Sequence, residues 1–597
     1  MFKQSIFRFF REHWQALFFA CLVGWLTVAP SVLAPLKIGE AYKGVPFFYV
    51  DDEDYYLARM QEIVDGHWPV GSPFFYEYKN TQPLQPATGE YVFYVLPAKV
   101  FQISLQQFLV VSKFIYPALL FLLVYCLVLL MMREAESRSG KLTSITAGLL
   151  VTLGYQFVAF DTAVSFFQGK EIAMDSSVWT RPVNPITGGI LLFLFLIFAW
   201  KLLTDSRRFL WIPAGLVLGL MHFYFFSWGV GLSIVAVLAL FHLLKKDFGK
   251  IKKLMLVVLV SLLVSAPFWL SLAQSFSEGG GDGVAKRQGM MFTHSPLLNK
   301  VLLASLALFI IFSIIEIYKK RNFRELTESS LWSFCLSLLL AGLWALNQHI
   351  VSGRTIWPYH FVQYTKPLAI VVLVVSGSYL IQPLANRLWS AVLFVLIASS
   401  LANGVILASS YRFDLDKYRL WQKEADLYGW LNTQATKDCV VLNKENVEWR
   451  SLWIPAFTHC NVYLSSYIHS GIPSERATHN FFVWLRMNGV SNESVEGFLE
   501  SHEDELRSAF YDDFFTLFSL KNGSWFTKVR HDKWFNETKK QVAGDYKDFL
   551  EKDFSEELRK YRLDYLVSQT PLSDDEKVLY KVRDDKGLIG QAYLYGF

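Results

Sequence analysis

Asp51, Asp52, Glu53 and Asp54 form an unbroken run of carboxylates. A carboxylate beside a hydroxyl can take its proton, and paired carboxylates can hold a divalent cation. The run leads into Tyr55-Tyr56-Leu57-Ala58-Arg59, and Glu62, His67, Trp68, Glu77 and Lys79 follow within the same loop. Complementary groups recur in three later loops. Residues 161–185 carry Lys170, Glu171, Asp175, Trp179, Arg181 and Asn184. Residues 275–297 carry Lys286, Arg287 and His294. Residues 347–365 carry Asn347, Gln348, His349, Arg354, Tyr359, His360 and Gln363, with Lys366 opening the next helix. Acids on one loop and Arg, Lys, His and amides on the others suit a substrate with a phosphate at one end and a hydroxyl nucleophile at the other. Arg and Lys pair with phosphate, Arg in a two-pronged fork. By itself a four-acid run is an ordinary solvated loop, and Lys79 an ordinary interface lysine that reaches for headgroups. What separates the readings is which elements bring the loops together.

Those elements are membrane-length. The chain has 597 residues, 53% hydrophobic and only 18% charged. Its apolar residues are clumped rather than periodic. Apolar segments run near 15–35, 107–132, 143–160, 186–203, 209–224, 226–244, 254–274, 298–318, 329–346, 366–383 and 388–409. Each is about long enough to cross a ~30 Å hydrocarbon core, with 209–244 readable as two helices or one broken one. Basic residues fill every second short loop: Lys3, Arg8 and Arg11; Arg133, Arg138 and Lys141; Lys201, Arg207 and Arg208; Lys245 to Lys253; and Lys319 to Arg324. The positive-inside rule then puts the N-terminus in the cytoplasm and the polar loops together outside. The first segment reads as an anchor rather than a cleaved signal. The expected architecture is a polytopic α-helical membrane protein of about eleven helices over 1–410, with a first external loop at 36–103. A soluble extracytoplasmic α/β domain is expected over 411–597. Within it, Lys417–Leu431 has helical spacing and 495–555 reads as helices. Cys439–Leu442, Asn461–Leu464, Tyr561–Ser568 and Val578–Val582 read as strands. Cys21, Cys126 and Cys335 lie in apolar segments. Cys439 and Cys460 lie outside, where a disulfide is permitted but spacing does not establish one.

The first loop also resembles a known family. Asp52-Glu53 with Tyr56, then Arg59, Gly66-His67-Trp68, Tyr78-Lys79 and Pro83-Leu84, all following the first helix, are similar to the first external loop of GT-C membrane glycosyltransferases. Within that superfamily the Asp-Glu pair resembles the protein O-mannosyltransferase and aminoarabinose transferase branch. The Trp-Trp-Asp-Tyr-Gly motif of oligosaccharyltransferases is missing, which disfavours that branch. The resemblance covers about 45–90, is looser over the bundle and carries little beyond 442.

What it implies is transfer of a sugar from a polyprenyl-phosphate donor to an extracytoplasmic hydroxyl on a glycan, lipid or protein. A direct displacement would invert the anomeric centre. Asp52 is the expected base with Asp51 next, and Glu53 is expected to orient Asp52 or the acceptor. Lys79, Arg181, Arg354 and His360 are expected on the donor phosphate, and Tyr56, Arg59 and Gln348 on substrate. Asp54 is expected to face solvent. No cofactor is demanded, although Asp51 and Asp52 have the oxygen chemistry for magnesium or manganese. The bilayer is the expected environment, and no nucleic-acid partner is expected. A transporter or flippase of lipid-linked saccharides and a polysaccharide polymerase or ligase are the alternatives. A transporter should carry ionisable groups near mid-membrane, whereas here the polar groups gather in the loops.

Overall fold

The computed structural model describes the chain except for residues 1, 50, 51, 84, 135–139, 159–176, 206, 278–289, 321–325, 327, 446–447, 466–471, 504–505 and 507–527. Asp51, Lys170, Glu171, Asp175, Lys286 and Arg287 therefore lie outside the described residues. Long apolar runs become long helices because a helix pairs every backbone group internally, the only arrangement tolerated in hydrocarbon besides a closed barrel. In chain order the bundle comprises α1 (Phe2–Ile38), α3 (Leu105–Glu134), α4 (Gly140–Thr152), α5 (Ile186–Thr204) and α6 (Trp211–Leu220). It continues with α7 (Phe225–Leu244), α8 (Phe248–Ser277), α9 (Lys300–Lys320), α10 (Ser330–Asn347), α11 (Tyr359–Leu380) and α12 (Gln382–Ser409). The helix α2 (Glu53–Val64) lies in the first loop. Among the described residues nine helices are long and apolar enough to cross a membrane, so the chain is an integral membrane protein of helical class. Two expected segments, 143–160 and 209–224, form shorter helices, α4 with 13 residues and α6 with 10. The 209–244 stretch is two helices with a single 3-10 turn, Met221–Phe223, between them.

Helix α3 is central: it packs on α1, α4 and α5, while α11 packs on α4, α7, α9 and α10. Between α8 and α11, the short strands β1 (Met290–Phe292) and β2 (Arg354–Ile356) pair antiparallel.

The C-terminal region is built on a five-stranded sheet in the order β4-β3-β5-β7-β6. Its strands are β3 (Val440–Asn443), β4 (Asn461–Val462), β5 (Tyr565–Ser568), β6 (Asp584–Ile589) and β7 (Ala592–Gly596). The β4-β3-β5 pairs are parallel and the β5-β7-β6 pairs antiparallel. Three expected strands are present. The fourth, Val578–Val582, is instead part of a helix, Asp574–Tyr580. Ser573 and Glu576 close a capping box at its start, and two reciprocal bonds at a helix N-terminus outweigh the strand preference of a short apolar run. The strands after it, β6 and β7, were not expected.

The first loop is threaded under this sheet. Phe74 O accepts from Val462 N at 2.8 Å, so residues 72–79 cover the β4 edge that would otherwise be open. Further back, Val45 O accepts from Tyr418 and Gln422 side chains, both at 2.9 Å. Phe47 packs edge-on to Tyr418, and Phe48 on Trp453 and Phe457. Phe47, Phe74 and Phe75 are buried, each contributing roughly 2–3 kcal/mol to the contact. Loop and sheet are therefore one packed body.

Cys439 and Cys460 are joined by a disulfide at the starts of β3 and β4. Replacing both by Ser is expected to lower the stability of the sheet region by about 3 kcal/mol. The check is the denaturant midpoint of the detergent-solubilised protein followed by near-UV circular dichroism. An unchanged midpoint would show that the bond contributes nothing.

Candidate functional site

Helix α2 carries a titratable group at each end, and the two ends are held by different parts of the molecule. At its N-terminus Asp52 is the N-cap residue, in the left-handed conformation at φ 62°. Asp tolerates that region better than most residues and is a preferred N-cap, yet its side chain makes no capping bond. Its carboxylate instead forms an ion pair with Arg181. Both groups keep solvent access, 31% for the Asp52 side chain and 16% for that of Arg181.

Arg181 is delivered by a short segment wedged over the ends of α4 and α5. Trp179, fully buried, donates its Nε1–H to Val151 O at 2.6 Å. A Cβ added at Gly189 would lie 2.8 Å from the Trp179 ring, so glycine there is what lets the indole seat. Tyr94 OH accepts from Val183 N at 3.0 Å. Arg181 is close enough to Tyr224 and Tyr364 to act electrostatically on both.

Glu53 takes the opposite direction to Asp52. It is 1% exposed and its Oε2 lies 2.5 Å from Lys113 Nζ on α3, itself 3% exposed. Lys113 also bonds Ser31 Oγ at 3.2 Å and sits 4.4 Å over the Tyr49 ring, while Tyr49 N donates to Glu53 Oε1 at 3.2 Å. Glu53 was expected to orient Asp52 or an acceptor. Its carboxylate is instead fixed to the bundle, because a buried acid must find a buried base. Lys113 was missed, although a lysine inside an apolar run is itself a signal. Asp54, expected in solvent, is half-buried, and its Oδ2 accepts from Trp453 Nε1 at 3.1 Å.

At the far end of α2, roughly 13 Å from Glu53 by helical rise, Glu62 meets Lys79 at 3.4 Å. Lys79, 3% exposed, also bonds Asp438 at 2.8 Å and Asn461 Oδ1 at 3.0 Å. Asn461 donates to Glu62 at 3.1 Å, and His67 lies 3.1 Å from Asp438. Asp438 and Asn461 directly adjoin the two half-cystines. Burial pushes the Glu62 carboxyl up, to about 7, against the opposing charges of Lys79 and His67. Burial also raises Asp438, but its bonds to Lys79 and His67 more than offset this and leave it low. Lys79, expected on a donor phosphate, thus ties the first loop to the C-terminal sheet.

The other expected residues are distributed. Arg59 is buried on Glu90 at 2.6 Å and on Gln85 O at 2.8 Å, a brace within the loop. Tyr56 is buried against Tyr55. His360 is buried and shares a 2.7 Å hydrogen bond with the Tyr224 hydroxyl, which brings it to the Arg181 side of α11. Arg354 lies exposed on β2, opposite Phe292. Gln348 donates to Arg354 O at 3.1 Å and accepts from Ser352 at 2.8 Å, bracing the turn. Of the expected set, Asp52 and Arg181 pair directly, and His360 bonds Tyr224, which Arg181 acts on electrostatically. Among the described residues the grouping with metal-ligand spacing is Cys439, His459 and Cys460, whose two sulfurs are already bonded to each other.

Two outcomes follow. Lys113→Met should destabilise the protein by roughly 3–5 kcal/mol, since it leaves Glu53 buried and uncompensated. Combining it with Glu53→Gln should recover most of the loss in thermal melts. For Glu62 the raised carboxyl means that the folded state binds the proton more tightly than the unfolded chain. Its contribution is fully present below 4.5, the ordinary value for a glutamate, and is lost as pH rises through about 7. Glu62→Gln should flatten that slope between pH 4.5 and 7, read by protease sensitivity of the loop–sheet contact across pH.

No protein-family model matches the chain, and no curated protein matches it. Among solved structures it is similar to the crystal structure of ArnT from Cupriavidus metallidurans bound to undecaprenyl phosphate, at 13% identity. The match covers 98% of this chain and 97% of that one, with a TM-score of 0.43.

Proposed function

We propose that the chain is an inverting membrane glycosyltransferase, moving a sugar from a polyprenyl-phosphate carrier to an acceptor hydroxyl on the extracytoplasmic face. In this reading residues 1–410 are the catalytic module, 411–597 the extracytoplasmic domain, and the N-terminus is cytoplasmic. The observation that carries it is the Asp52–Arg181 pair: a carboxylate and a phosphate-seeking cation side by side, partly open to solvent, at the head of a helix whose N-cap side chain makes no capping bond. The family resemblance of the first loop supports the same reaction.

Asp52 takes the acceptor O–H proton as the oxygen attacks the anomeric carbon. The bond from that carbon to the phosphate oxygen breaks, and polyprenyl phosphate leaves with the electron pair. Phosphate is a competent leaving group, so the site needs a base and positive charge rather than a strong acid. Arg181 serves both states: it pairs with Asp52 at rest and turns to the phosphate when donor binds. That exchange leaves the Asp52 carboxylate free to accept a proton. His360, held by Tyr224, lines the same side of α11.

Asp52→Asn is expected to lower transfer by about 10²–10⁴-fold, the usual range for loss of a general base. The assay is release of polyprenyl phosphate by the purified protein with envelope acceptor. Full activity in this variant would remove Asp52 as the base. Saccharide movement without release of polyprenyl phosphate would point to the transporter alternative.

A further inference from the structure

Residues 88–101 form one continuous helix within the first loop: α-helical Thr88–Glu90, a π turn Tyr91–Val95 and α-helical Leu96–Phe101. Its faces are the reverse of those of a helix in water, where the polar face turns outward. Glu90, Tyr94 and Ala98, four positions apart, are buried. Tyr91, Val92, Leu96, Val100 and Phe101 are exposed, at 37% to 66%. Trp68, 53% exposed, stands against Tyr91 with ring centres 6.2 Å apart. Apolar side chains scattered singly on a surface need no explanation, but a continuous stripe does. The other charged residue of the segment, Lys99, is exposed beside Val100, where its stem can carry the ammonium to headgroups.

What covers the stripe follows from where the helix packs. The Tyr94 ring meets Phe108 at 6.3 Å and Tyr116 at 5.6 Å, and Phe101 stacks on Phe108 at 6.5 Å. The Tyr116 hydroxyl donates to Phe93 O. Phe108 and Tyr116 belong to α3, one of the membrane-length helices. Between them on α3 stand Val111 and Ile115, apolar, four positions apart and exposed. The stripe therefore lies at the depth where the lipid-facing surface of the bundle begins. A helix with one apolar face binds a membrane by burying that face at the headgroup–acyl boundary, and Trp and Tyr are enriched at that level.

We propose that the 88–101 helix is a lipid-seated platform: its apolar stripe lies in the leaflet beside Asp52, and this seating sets the height of the Asp52–Arg181 pair. The buried face of the helix reaches both halves of the pair. Glu90 holds Arg59 of α2 at 2.6 Å. Tyr94 OH accepts from Val183 N at 3.0 Å, two residues from Arg181. The segments that carry the acid and the cation are thus braced by one helix whose other face is turned to lipid. The consequence for sugar transfer rests on the glycosyltransferase reading; the seating rests on the exposed stripe and its place against α3.

The test of the seating is a nitroxide on Val100→Cys in the full chain, with Cys21, Cys126 and Cys335 replaced by Ala, reconstituted in phosphatidylcholine vesicles. Molecular oxygen collects in hydrocarbon, and a nickel chelate stays in water. Oxygen is expected to relax the spin more than the chelate does. Stronger relaxation by the chelate overturns the proposal, and so does protection from both reagents, the mark of a second protein copy on the stripe. The link to the pair is tested with Leu96→Glu, which puts a charge into the seated face. It should lower transfer in vesicles by up to about 10²-fold, the loss that a misplacement of about 1 Å brings. Leu96→Phe should keep full transfer. The detergent melting midpoint of Leu96→Glu should match that of the parent, whereas a merely structural role would lower it. Unchanged transfer in vesicles, or a lowered midpoint in detergent, overturns the link. Absence of transfer by the parent chain would instead fault the glycosyltransferase reading, with the spin relaxation still deciding the seating.

Discussion

The buried ion pair between Glu53 and Lys113 is the constraint on which the site depends. Each charge alone would be intolerable at 1–3% exposure, and together they compensate only in close contact. That requirement pins the first turn of α2 to α3 of the bundle. Asp52, one residue earlier, is the N-cap in the left-handed backbone region, and its side chain makes no capping bond. Its carboxylate is thereby presented to Arg181. The acid proposed as the base is set beside one that is neutralised in the bundle.

The far end of α2 is held by a different, partly exposed device. Glu62, Lys79, Asp438 and Asn461 form a closed polar knot, and the last two flank the Cys439–Cys460 bond. Helix α2 is therefore a bar fixed at one end to the membrane bundle and at the other to the C-terminal sheet. A movement of that sheet would reach Asp52 through about 15 Å of helix. The aromatic contacts of Phe47 and Phe48 with Tyr418 and Trp453 run alongside and stiffen the same junction.

The acid run, the helical membrane class and three of the C-terminal strands were legible because each is a local pattern: carboxylates in sequence, apolar length, short alternating or buried runs. The fates of the basic residues were not legible. Lys79, Arg59 and Arg181 look alike as isolated cations in loops. One binds Asp438, 359 positions away, another Glu90 within its own loop, and the third Asp52, 129 positions away. Val578–Val582 was misread for a related reason: a capping box that reads Ser573-x-x-Glu576 outweighs the strand preference of the residues it precedes. Lys113 was hidden in plain view, a lysine inside an apolar run whose weight appears only once its burial is known.

By itself the sequence determined what kinds of group stand beside the membrane and that the chain must cross it repeatedly, since length, hydropathy and charge alternation are properties of residues in order. The tertiary structure decided which acid faces an open partner and which is neutralised in the bundle. That choice depends on which opposite charge lies within bonding distance after packing, and no spacing along the chain encodes it. The four carboxylates are chemically near-identical in sequence. Among the three described, Glu53 is locked to Lys113, Asp54 accepts from Trp453, and Asp52 alone is set against Arg181 with access to solvent.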